Sequence, residues 1–152
     1  MADTATHELT DAELAAWRGF LRTHAKLVRE LDAELMAAHN LPLSSYDVLI
    51  NLRSAPGRRL RMAELADRAL LSRSGMTRMV DRLEREGLLQ RDNCSSDARG
   101  CYAVLTEAGE ALLRRARPTH LDGILQRFLA HCEGDDLARL ARLWQAVLAD
   151  QT

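Results

Sequence analysis

The chain has 152 residues, a formal net charge of −1, 47% hydrophobic side chains and 4% aromatic ones. That length suits one domain or one protomer of a small oligomer, and apolar content built from Leu, Ala and Val favours helices over a sheet sandwich. No run approaches about 18 apolar residues and the N-terminus has neither a basic start nor an apolar core, so neither a membrane span nor a signal peptide is expected, and the location should be cytoplasmic.

The charge is unevenly spread. Residues 1–52 carry eight acids against four bases, residues 53–99 carry eleven arginines against seven acids, and residues 100–152 come out at −1. A basic middle between acidic or neutral ends is the footprint of a nucleic-acid module on a scaffold that does not itself bind. Cys94, Cys101 and Cys132 are an odd number without Cys-x-x-Cys or a matching His pair. That argues against a disulfide framework and against a zinc site. With no nucleophile–base pair and no phosphate-binding glycine loop either, no enzyme, cofactor or metal is expected.

In chain order, Thr10-Asp-Ala-Glu13 has capping-box spacing and opens a long helix to about Ala38. Its stripe of Leu14, Trp17, Leu21, His24, Val28, Leu31 and Leu35 alternates 3 and 4, the seam of a helix that lies along another long helix. Asn40-Leu-Pro42 breaks it, and Ser44 with Asp47 is expected to start a second helix carrying Val48, Leu49 and Leu52 inward. Ala55-Pro56-Gly57 stops that helix, and Arg58, Arg59 and Arg61 follow as a basic cluster. A short third helix spans about Met62 to Ala69.

The next helix runs from a capping Ser72 to Gly87, with Met76, Val80 and Leu83 on one face beside Met79. Ser74, Arg78, Asp81 and Arg85 point the opposite way, flanked by Thr77 and Arg82. Two helices joined by a short turn, the second with a basic outer face, form a helix-turn-helix able to enter a DNA major groove. Leu88–Asp92 and Cys101–Leu105 read as strands around a polar tip, a hairpin that makes a wing. Thr106 caps a further helix with Glu107 and Glu110 in its first turn, and Pro118 is expected to kink or split it. A last helix follows Glu133-Gly-Asp-Asp136, with Leu137, Leu140, Leu143 or Trp144, Val147 and Leu148 on one face.

The fold class is therefore mostly α (α+β): one domain over 1–152, with a winged helix-turn-helix at 44–105 and long dimerisation helices at 10–38 and 107–150. The end helices have apolar faces too long for so small a module to cover, so a second copy should cover them. Two recognition helices related by a two-fold would meet major grooves about 34–36 Å apart on a near-palindromic duplex.

Met62-Ala-Glu-Leu-Ala66, Ser72-Arg-Ser-Gly-Met-Thr-Arg78, Val80-Asp-Arg-Leu-Glu-Arg-Glu-Gly-Leu-Leu-Gln-Arg91, Asp97-Ala-Arg99 and Leu105-Thr-Glu-Ala-Gly109 resemble, in order and spacing, the MarR family of winged-helix regulators. The resemblance implies an obligate homodimer with a triangular outline. It also implies a recognition helix in the major groove, and a wing arginine, Arg99 here, in the minor groove, held by Asp97. On this reading Ser74, Thr77 and Arg78 lie nearest base edges, and Ser72, Arg73, Arg82 and Arg91 contact phosphates. Members of the family typically repress transcription and leave DNA when a small phenolic or anionic molecule binds between the dimer helices and the DNA module. Trp17, Arg18, His24 and Tyr46 are the candidates for that cleft. An alternative signal is a thiol switch, since Cys94 and Cys101 bracket the wing tip beside Arg91 and Arg99.

Overall fold

The computed structural model describes residues 8–69, 73–92 and 101–149. Ser72, Cys94, Asp97 and Arg99, and the side chain of Arg73, lie outside the described residues. Helix α1 (Asp11–His39) opens on the expected capping box: the Glu13 N–H donates to Thr10 Oγ1 (3.3 Å), and the Thr10 N–H to Glu13 Oε2 (2.8 Å). It ends at Asn40, in the left-handed region at φ 50°.

Helix α2 (Leu43–Ser54) does not start on Ser44. Its cap position is Pro42, which has no N–H and whose φ of −59° already matches a helical turn. The open Leu43 N–H is satisfied from α1, by Asp32 Oδ1 at 2.8 Å. After a 3₁₀ turn (Pro56–Arg58), the basic cluster continues into a short strand, β1 (Arg59–Arg61), to which the sequence pattern assigns no element. Helix α3 (Met62–Arg68) follows at once, its first turn braced by Glu64, whose carboxylate accepts the Arg61 N–H (3.1 Å).

Helix α4 (Arg73–Arg85) closes through the two bonds of a Schellman motif, Leu88 N–H to Leu83 O and Gly87 N–H to Glu84 O, both 2.9 Å. That closure needs a left-handed residue, and Gly87 supplies it at φ 73°. Strands β2 (Leu89–Asp92) and β3 (Tyr102–Leu105) pair antiparallel, as expected of a wing. β1 adds itself to the other edge of β3, so the hairpin is a three-stranded sheet in the order β1-β3-β2.

Thr106 caps α5 (Glu107–Arg127) by accepting the Gly109 N–H (3.1 Å), and its own hydroxyl donates to Gly87 O (2.6 Å). One side chain thus ties the end of the recognition-helix turn to the start of α5. Pro118 does not split this helix. Pro118 and Arg114 are both exposed, a place on the helix where water can satisfy a carbonyl deprived of its partner. The break falls at Phe128 instead, ahead of a 3₁₀ turn (Leu129–His131) and α6 (Asp136–Ala149).

The core sits inside the middle module. Leu35, Leu49, Leu52, Leu65, Met76, Val80, Leu83, Leu89 and Leu113 are almost wholly buried, joining the lower end of α1 to α2–α5. Of the α1 stripe only Leu31 and Leu35 are buried; Trp17, Leu21 and Val28 stay exposed, as do Leu137, Leu143, Trp144, Val147 and Leu148 of α6. Arg127 of α5 clamps α1 through Glu30 (2.8 Å) and Glu34. Among the described residues, no helix is long and apolar enough to cross a membrane.

Candidate nucleic-acid interface

The outer face of α4 is where its periodicity puts it. Met76, Val80 and Leu83 are buried, while Ser74, Thr77 and Arg78 are exposed. Arg78 pairs with no carboxylate among the described residues, so its guanidinium is available to a base edge or a phosphate.

Two arginines expected at phosphates are engaged inside the protein. Arg82 turns inward and donates to the hydroxyl of buried Ser45 on α2 (2.6 Å), against the sulfur of Met79 (3.0 Å). Arg91, on β2, is gripped by two carboxylates of the recognition helix, Asp81 (2.5 Å) and Glu84 (2.6 Å), and its N–H donates to Glu84 (2.8 Å). That backbone donor, together with the guanidinium, holds the Glu84 carboxyl below its ordinary range. Arg82 therefore fixes the helix to α2, and Arg91 fixes it to the wing. The angle of the exposed face is set from both sides.

A second site lies behind this face, between α2 and α5. Tyr46, Asp47, Ile50 and Arg53 of α2 and Arg117, His120, Leu121 and Ile124 of α5 line a cleft of about 530 Å³. The rings of Tyr46 and His120 are 4.5 Å apart and inclined at 44°. Removal from water lowers the His120 pKa from its usual 6.5, against the pull of Asp47, and His120 Nδ1 is buried with no hydrogen-bond partner among the described residues. Desolvation likewise raises the Tyr46 phenol. On the floor, Arg53 Nε meets Glu110 Oε2 at 3.3 Å. Glu110 is thus more than a first-turn anion facing a helix dipole. It is 4% exposed, and it joins α2 to the helix that leaves the wing.

Of the four ligand candidates from sequence, only Tyr46 lines this cleft. Trp17 and His24 flank Phe20 at ring distances of 5.9 and 6.3 Å, and Phe20 meets Trp144 of α6 at 5.2 Å. Trp17, Phe20, Leu143, Trp144 and Val147 line an apolar groove of about 430 Å³ between α1 and α6. Arg18 is exposed on the same half of α1. Sequence reasoning missed Arg53, Arg117 and His120, although 46, 47, 50, 53 and 117, 120, 121, 124 each follow one helix face. Of the wing cysteines, Cys101 is half-buried and free.

Helix-turn-helix, three-stranded wing and long flanking helices together define a winged helix-turn-helix protein. Residues 39–100 match the model of the MarR family. Two crystal structures from Streptomyces coelicolor share the whole fold. AbsC, a MarR family transcriptional regulator, is 32% identical with a TM-score of 0.88, over 96% of this chain and 98% of that one. Sco3205, of the same family and in complex with DNA, is 34% identical with a TM-score of 0.89, over 96% of this chain and 92% of that one. The chain belongs to the MarR family of transcriptional regulators. Among curated relatives, an HTH-type transcriptional regulator of Bacillus cereus is 35% identical over 92 residues, covering 60% of this chain and 59% of its own length. The chain thus spans about three fifths of that relative. The homoprotocatechuate degradative operon repressor of Escherichia coli is 28% identical over 76% of each chain.

Proposed function

We propose that the chain is a homodimeric repressor that reads a near-palindromic operator with α4 and its wing and is released by a small phenolic or anionic molecule held in the α2–α5 cleft. The observation that carries this reading is the exposed Ser74–Thr77–Arg78 face, braced from behind by Arg82 and from the wing by Arg91. Ser74, Thr77 and Arg78 reach base edges, and Ser72 and Arg73 meet phosphates at the start of the helix. Arg99, directed by Asp97, enters the adjacent minor groove. Arg82 and Arg91 position the helix rather than touch DNA. The DNA-bound Sco3205 structure and the repressor among the relatives support the same reading.

The cleft suits an aromatic anion. Tyr46 and His120 offer ring faces, Ile50 and Ile124 an apolar wall, and Arg53 and Arg117 two cations. An anion drawing Arg53 away would leave buried Glu110, in the first turn of α5 next to the wing, with only its longer pair to exposed Arg114 (3.8 Å) among the described residues. The signal would then reach β3 and, through Thr106, the Gly87 turn. The experiment is operator release by a panel of hydroxybenzoates. Wild type should be released, and Arg117→Ala should bind DNA normally but need at least tenfold more ligand. Release at unchanged concentrations would remove the cleft from the account.

A further inference from the structure

The basic cluster ahead of α3 has no role in the reading above, yet its arginines are built very differently. Arg58 is paired with Glu107 (3.3 Å) and Arg59 with Asp92 (3.3 Å). Arg61 has no carboxylate partner among the described residues. The acid closest in sequence, Glu64, is turned onto the Arg61 backbone N–H instead. The Arg61 guanidinium is nonetheless held. Its Nε donates to the Tyr102 hydroxyl (3.2 Å), and its central carbon lies 5.4 Å from the centre of that ring, while Arg59 stacks on the ring at 3.9 Å. Tyr102 sits directly opposite Arg61 in the β1–β3 register.

We infer that Arg61 is a further DNA-backbone contact, a phosphate clamp beside the wing, with Tyr102 as its positioning residue. The inference rests on the DNA-binding reading. With Nε spent on the tyrosine, the two Nη groups remain as a planar fork, the geometry that fits two oxygens of one phosphate. Place supports chemistry. β1 runs toward the wing tip, and its end is pinned there by the Met62 N–H donating to Cys101 O (3.1 Å), where the chain emerges from residues 93–100. Arg61 is therefore carried to the duplex by the same strands that carry the tip. Leu60, the residue between the two arginines, is buried, so Arg59 and Arg61 share the exposed side of the sheet. Arg59, neutralised by Asp92, acts as a cover on the tyrosine ring rather than as a second clamp.

A phosphate contact carries charge but no sequence information, and that separates this role from base reading. The test is the slope of log affinity against log salt, measured on sheared duplex DNA of mixed sequence and on the DNA upstream of the chain's own gene. Arg61→Ala should lose affinity equally on both and flatten the slope by about 0.9 per protomer, about 1.8 for a dimer. Arg61→Lys should keep the slope, because it keeps the charge. Tyr102→Phe should weaken binding less than Arg61→Ala at unchanged slope, because the fork loses its anchor but not its charge. A slope in Arg61→Ala equal to wild type, or a loss confined to the upstream DNA, would overturn the clamp. Wild type with no salt-dependent binding to either DNA would instead overturn the DNA-binding reading on which the clamp rests.

Discussion

At the scale of single residues, each arginine's partners decide its work. Arg78 is exposed and pairs with no carboxylate among the described residues, whereas Arg82 donates through Nη2 to Ser45 and Arg91 pairs with Asp81 and Glu84. Arg78→Ala should therefore cost about 1–3 kcal/mol on operator DNA and relax sequence preference, read by fluorescence anisotropy on matched and mutated sites. Arg91→Ala should lower the melting temperature, since it frees β2 from α4. Gly109 makes a different kind of demand. A Cβ there would collide with the backbone oxygen of Leu88, which cannot swing aside as a side chain can, and stand 2.6 Å from Leu105 Cδ1. Gly109→Ala should destabilise by about 1–3 kcal/mol in chemical denaturation. His120 gives a pH signature. Desolvation lowers its folded-state pKa below 6.5, so the unfolded chain takes the proton first. Stability is then full above about pH 6.5 and falls as pH drops below it, until the folded imidazole also protonates. Thermal melts at about pH 7.5 and about pH 5.5 should show the drop, and His120→Gln should reduce it.

Between elements, local chemistry was legible and distant chemistry was not. The capping box at Thr10 and Glu13 and the cap at Thr106 join residues three apart, so spacing alone reveals them. The start of α2 is different. Ser44 and Asp47 have the right spacing, but Pro42 shapes the turn and the open N–H is met by Asp32 from the previous helix. The Arg59–Arg61 strand is too short to show a period of two, and only its partner β3 makes it a strand. α5 runs on through Pro118 where both Pro118 and Arg114 are exposed, a matter of exposure rather than of sequence. The recognition helix was readable because its buried and exposed faces follow one period. The cleft was not, because its cations come from two helices whose apposition is tertiary. Thr106 is the joint between the wing and α5, with one hydroxyl serving Gly109 N–H and Gly87 O. Thr106→Val should cost about 1–2 kcal/mol, measured by denaturant unfolding.

For the molecule as a whole, the apolar faces of α1 and α6 are what the proposed dimer would cover. Trp17, Phe20, Leu143, Trp144 and Val147 form one exposed groove, and α6 buries no residue against its own chain. A contiguous exposed apolar patch of this kind calls for a partner, and a second copy offers the same patch. Leu143→Glu should shift the chain from twice its mass to a monomer in light scattering and lose operator binding with it, while the module around Leu49 and Leu83 stays folded. The proposed dimer, reading DNA with two copies of α4, has one geometric consequence. A footprint on the DNA upstream of the chain's own gene tests the account most directly. It should show two protected half-sites whose centres lie one helical turn apart, about 34–36 Å, protected together at one protein concentration. No protected segment, or a single half-site filling on its own, would contradict it.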